Sequence, residues 1–154
     1  MKQDFVSMVE LIRELTRAMD ELTQTQRTVA AAVHTDDLAA LAECMKKQQA
    51  LALSLRNIDL KRAKQQQAMG IETLRLSELS DCAPDEETRQ LVKNAAEQAA
   101  NQYRLLQSAS EVARSALECS LHEVEGMMTR MGIDPAQAQE RTASVSGAHT
   151  DFHA

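Results

Sequence analysis

The chain has 154 residues, about one domain's length, with a formal net charge of −6 and a pI near 5.2. That acidity, with no basic stripe interleaved with aromatics, argues against nucleic acid and against an anionic membrane surface as partners. Aromatic residues are 2% of the chain (Phe5, Tyr103 and Phe152, with no Trp), so Ala, Leu and Met must supply the core, which suits thin layers between long helices better than a compact enzyme.

The N-terminal stretch MKQDFVSMVELIREL carries charges every few residues and no unbroken apolar run, so it reads as neither a signal peptide nor a membrane span. Cys44, Cys82 and Cys119 are odd in number and far apart, which excludes a disulfide framework and fits a reducing, cytoplasmic setting. No metal or other cofactor is expected, because no two cysteines lie within a few residues of each other.

The first helix is expected over residues 3–33. Phe5, Met8, Ile12, Leu15, Met19, Leu22, Gln26, Val29 and Val33 step by three and four without a slip, which is a heptad seam. Its one polar member, Gln26, either fixes the register or marks a thinning of the core. The run His34, Thr35, Asp36, Asp37 then breaks the pattern, with Thr35 or Asp36 as the N-cap of a second helix. That helix is expected over 36–69, with Leu38, Leu41, Met45, Leu51, Leu55 and Ile58 facing inward and Gly70 as its left-handed terminator. A link this short between long helices implies an antiparallel hairpin.

Residues 71–80 read as a short helical piece followed by a turn. Pro84 at the first helical position, with Asp85, Glu86 and Glu87 behind it, opens a last helix expected over 84–131. Gly132 and Pro135 end it, and the polar, aperiodic segment 132–154 is expected to be disordered. At 1.5 Å per residue the first two helices are roughly 45–50 Å long and the last about 70 Å. The last helix therefore either overhangs the hairpin by about 20 Å or bends near Gly126. The fold class is all-α: an elongated antiparallel hairpin plus a long third helix, in a coiled-coil-like bundle over 1–131.

The last helix carries two apolar rows. One is Leu91, Ala95, Leu105, Ala109, Val112 and Ala116; the other is Leu106, Ala113, Leu117, Leu121, Val124, Met128 and Met131. One stripe suffices to cover a hairpin seam, so the second row is either further core or the seat of a partner helix. Its alanines permit close approach, and Met127, Met128 and Met131 give an adaptable surface. Tyr103 fits either a core position with its hydroxyl at the rim or a contact position.

No catalytic constellation is present. His122-Glu123-Val124-Glu125-Gly126 begins like a metalloprotease helix but lacks the second histidine that would share its face. Di-iron bundles need Glu-x-x-His pairs, and three residues before His122 stands Cys119. His149 and His153 have no neighbouring ligands. Residues 34–70 hold six basic and four acidic groups, and 85–131 hold five basic and eight acidic, so opposite signs favour packing these helices side by side. Within the second helix, the run Lys61, Arg62, Lys64, Gln65, Gln66, Gln67 reads as a solvated face.

One family shows this order of elements. Leu38, Leu41, Lys46 or Lys47, Leu51, Leu55, Asp59, Arg62 and Met69-Gly70-Ile71 resemble the first half of the FlgN family of flagellar export chaperones. Asn101-Gln102-Tyr103-Arg104-Leu105-Leu106 resembles the Asn-rich segment with paired leucines in that family's last helix. The resemblance spans roughly residues 10–131. It implies a cytoplasmic bacterial chaperone of the flagellar type III export system, keeping the hook–filament junction proteins FlgK and FlgL soluble by binding their C-terminal helices. It places the client surface on the last helix, at Leu105, Leu106, Ala109, Val112, Ala113, Leu117, Leu121, Val124, Met127, Met128 and Met131. It also implies contact with the export gate or its ATPase complex through an aromatic residue of the tail, for which Phe152 is the candidate. The competing reading is a self-associating coiled-coil scaffold, in which the second apolar row closes a homodimer and no client is involved.

Overall fold

The computed structural model describes residues 1–137. Three long helices, α1 (Lys2–His34), α2 (Leu38–Ala68) and α3 (Glu86–Arg130), are joined by a turn and by a connector containing a 3₁₀ segment, Leu76–Cys82. No strand occurs among the described residues. Cα packing divides the chain into two compact units, Met1–Arg114 and Ser115–Ala154, so α3 contributes to both. The segment beyond Gln137, including Phe152, His149 and His153, lies outside the described residues.

In the first unit α1 supplies the spine. The seam expected from its heptads is in place, with Phe5, Met8, Ile12, Met19 and Val29 buried and Leu15, Leu22, Gln26 and Val33 half-buried. α2 returns antiparallel: Gln48 Nε2 donates to Gln26 Oε1 at 2.6 Å, while Val29 and Val33 cluster with Cys44 and Leu41. Partners on α2 fall in number as those on α1 rise. α3 instead runs parallel to α1, since Lys2 meets Glu87, Thr23 meets Gln102 and Gln26 meets Ser110.

The inward face of α2 differs from the expected one. Leu41, Leu51 and Leu55 are half-buried and Ile58 is buried, but Leu38 and Met45 are 76% and 56% exposed. Cys44 and Gln48 occupy the seam instead, so that its steps alternate three and four from Leu41 to Ile58. The core consequently has two apolar clusters. One gathers Phe5, Met8, Val9, Ile12, Met19, Leu79, Val92, Ala95 and Ala99; the other gathers Val29, Cys44 and Ala113. Between them lies a polar layer. Gln26 Nε2 donates to Ser110 Oγ at 3.3 Å, and Gln102 Nε2 donates to Thr23 Oγ1 at 3.1 Å. Slipping α3 by one turn would break these bonds, and slipping α2 would break the one from Gln48 to Gln26, so Gln26 fixes the register.

The ends of the helices follow from local chemistry. Asp37, rather than Thr35 or Asp36, caps α2, its carboxylate accepting from the Ala40 amide at 3.0 Å. α3 begins at Glu86 and is capped by Asp85 Oδ1, which accepts from the Thr88 amide at 2.7 Å, so Pro84 precedes the cap and is not the first helical residue. Gly70 has φ 73° and ends α2 as expected: the Ile71 amide reaches back to Gln66 O and the Gly70 amide to Gln67 O. α1 ends in the same motif, but there Asp36 takes the left-handed conformation, at φ 53°. Asp36→Gly removes the Cβ strain and should raise stability by about 0.5–1 kcal/mol in a denaturant titration.

The caps also set a pH dependence. Hydrogen bonding from the Thr88 amide holds the Asp85 carboxyl below its ordinary value of 3.8. Lys2 is raised above 10.5, first through its hydrogen bond to Glu87 and then through the charge of Asp85. Because the folded pKa of Asp85 is depressed, its contribution is complete above 3.8 and is lost as pH falls through the lower folded value. Thermal melts of Asp85→Asn should therefore lose less stability than wild type on acidification below about pH 4.

The connector is the element the sequence described least well. Residues 71–75 form turns, and the helical piece expected at 71–80 is instead the 3₁₀ segment Leu76–Cys82. The Arg75 amide donates to Glu78 Oε2 at 3.0 Å and the Glu78 amide donates to Arg75 O at 2.9 Å, fixing the start of that segment. Leu79 drops into the first apolar cluster with 0% exposure, and Ile71, Leu74 and Leu76 pack around it. Gln66 anchors the other end. It is 1% exposed, and its Nε2 donates to Ile71 O at 3.2 Å and Leu74 O at 3.0 Å. Its Oε1 accepts from Arg62, which also bonds Asp59. The polar run read as a solvated face is thus partly a structural tie.

Candidate partner-binding surface

α3 carries one buried seam in the first unit. Thr88, Val92, Ala95, Ala99, Ala109 and Ala113 are buried, and Gln102 and Leu106 between them are half-buried. These positions alternate steps of four and three, a single narrow stripe. The stripe is phased differently from the expected rows: Val92 and Ala99 belong to it, whereas Leu91, Leu105 and Val112 are exposed at 37%, 49% and 56%. α3 continues as regular helix through Gly126, whose position for a Cβ is open.

The second unit has a different balance. Ala116 is buried, but Leu117, Leu121, Val124, Met127 and Met131 are 42%, 54%, 43%, 48% and 73% exposed, with Met128 half-buried. At 100° per residue, Leu117, Leu121, Val124, Met128 and Met131 stay within about 40° of one line. The helix closes with Gly132 at φ 81°, the Ile133 amide donating to Met128 O, and Ile133 itself 44% exposed. The stripe is therefore apolar, regular and accessible along about 20 Å of helix.

The eleven expected client-binding residues fall into three groups. Ala109 and Ala113 are core residues of the first unit, and Leu106 is half-buried against the first apolar cluster. These three are occupied in packing. Leu105 and Val112 are exposed on the first unit, off its buried seam, and are not part of the stripe. Leu117, Leu121, Val124, Met127, Met128 and Met131 are brought together along one accessible side.

A second concave feature lies within the first unit and was not foreseen from sequence. Leu15 and Met19 of α1, Leu76 of the connector, and Ala96, Ala99 and Tyr103 of α3 line a groove of about 460 Å³, rimmed by Ser77, Ser80, Lys93 and Glu97. It exists because the α3 face here is alanine, leaving space that no large side chain fills. Tyr103 stands at its edge, 52% exposed, its hydroxyl accepting from Gln107 Nε2 at 3.4 Å.

The cysteines divide into buried Cys44 and exposed Cys82 and Cys119. Among the described residues no cluster of three or more His, Cys, Asp or Glu side chains is placed to hold a metal ion, and no described helix is long and apolar enough to cross a membrane. No family model, curated protein or solved structure matches the chain.

Proposed function

We propose that this chain is a non-catalytic helical chaperone that takes an amphipathic helix of a client onto the α3 stripe from Leu117 to Met131. The observation that carries this reading is the accessible apolar line on a regular helix, where a soluble helix facing solvent would carry polar groups. A client helix laid along it supplies the missing layer of a bundle, with anchors at i, i+3, i+4 and i+7. Methionines at 127, 128 and 131 let the surface repack around more than one client sequence.

The resemblance of residues 10–131 to the FlgN family gives the clients a chemistry. Under it the chain works in the bacterial cytoplasm and holds the C-terminal helices of the hook–filament junction proteins FlgK and FlgL in soluble, unassembled form for the flagellar type III export machinery. The export gate or its ATPase complex would then be the receiving partner. The direct experiment is a calorimetric titration of the full chain with those C-terminal helical segments. One-to-one binding that Val124→Asp abolishes is the expected result. Equal affinity for wild type and Val124→Asp would remove the site from α3.

A further inference from the structure

α2 has an accessible apolar face of its own. Leu38, Met45, Leu53 and Leu60 are 76%, 56%, 60% and 54% exposed. Their spacing of seven, eight and seven residues keeps them on one side of the helix, and Ala42, Ala52 and Ala63, also exposed, fill the intervals. This line lies about 120° from the seam formed by Leu41, Cys44, Leu51, Leu55 and Ile58, so α2 is apolar on two sides. Leu38 and Met45, expected on the inner face of α2, belong instead to this outer one.

The charges beside the two exposed lines have opposite sign. α2 carries six basic residues (Lys46, Lys47, Arg56, Lys61, Arg62, Lys64) against two acidic ones, Glu43 and Asp59, a net of +4. Arg56 falls in the apolar line itself, and Lys46 and Lys64 border it. Residues 117–131 of α3 carry Glu118, Glu123 and Glu125 against Arg130, a net of −2, and of these Glu118 and Glu125 border the stripe. The α3 stripe, about 20 Å long, fits within the α2 line, which extends about 33 Å from Leu38 to Leu60.

We infer that a second copy of this chain lays its α3 stripe on the outer face of α2, apolar line against apolar line with acidic flanks opposite basic ones. The inference rests on the stripe being a docking surface, as the proposed function does, but not on any client. It has a functional consequence: without a client the chain covers its own adhesive helix with another copy, and a client helix must compete for that stripe.

Sedimentation velocity and light scattering of the full chain test this. Mass should rise with concentration between about 1 and 200 μM and fall back as salt is raised from about 50 to 500 mM. A triple variant with Lys46→Glu, Arg56→Glu and Lys64→Glu should weaken association roughly tenfold or more. A double variant with Glu118→Lys and Glu125→Lys should do the same, and mixing the two should restore a complex. A wild-type chain that stays monomeric throughout, or association unaffected by salt and by both variants, would overturn the inference. Client titration of the α2 variant separates the two readings: retained client binding with lost self-association supports both, and retained client binding by a wild-type monomer overturns this one alone.

Discussion

Leu79→Ala should destabilise the first unit by about 3 kcal/mol and lower its melting temperature by roughly 10 °C. The side chain is fully buried in a cluster with Phe5, Met8, Ile12 and Val92, although it belongs to a connector and not to a long helix. The reason lies in α3. Its seam there is Ala95 and Ala99, too small to fill the space beside the large side chains of α1, so Leu79 fills part of it. Alanine would leave a cavity lined by residues already held by other contacts, which allows little collapse. The change would also test the connector's structural role against Gln66. If Leu79→Ala melted like wild type by circular dichroism, the connector would be an ornament on the bundle and the first cluster would close without it.

Val124→Asp should act oppositely, on binding and not on folding. The position is 43% exposed and lies in the middle of the α3 stripe, between Leu121 and Met128. A carboxylate there faces water in the free chain at little cost, but a docked apolar helix would have to bury it without a partner, which costs several kcal/mol and reduces affinity on the order of a hundredfold or more. Leu121→Asp should behave alike, whereas Val112→Asp, exposed on the first unit and not part of the stripe, should leave affinity nearly unchanged. That contrast separates a defined surface from general stickiness. Loss of binding in all three variants, or in none, would contradict the placement.

The fold was legible where large side chains carry the pattern. The α1 seam from Phe5 to Val33 could be followed residue by residue because bulky apolar groups recur at heptad positions with one polar interruption. α3 was harder for a physical reason. Its seam is mostly alanine, and alanine also occurs off the seam, at Ala96 and Ala100, so apolar size pointed to Leu91, Leu105 and Val112 instead. Polar seam members were invisible for the same reason. Gln48, Gln66 and Gln102 look like surface residues until a specific acceptor is seen beside each one. The connector, held by two carbonyl bonds from Gln66 and one buried leucine, offers no periodicity to read. Of the candidate site, the methionine-rich end was legible from the accumulation of apolar residues beyond Ala116. Which residues of 105–113 the core consumes was not, because that depends on the phase of the alanine seam.

Hydrogen exchange of the full chain with and without a client helical segment tests the central claim most directly. The prediction is a gain in protection of at least about tenfold at amides 115–133, where docking suppresses local opening of the helix, with α1 and α2 amides little changed. Binding accompanied by protection elsewhere, around the Leu15, Ala96 and Tyr103 groove for example, with 115–133 unaltered, would contradict it.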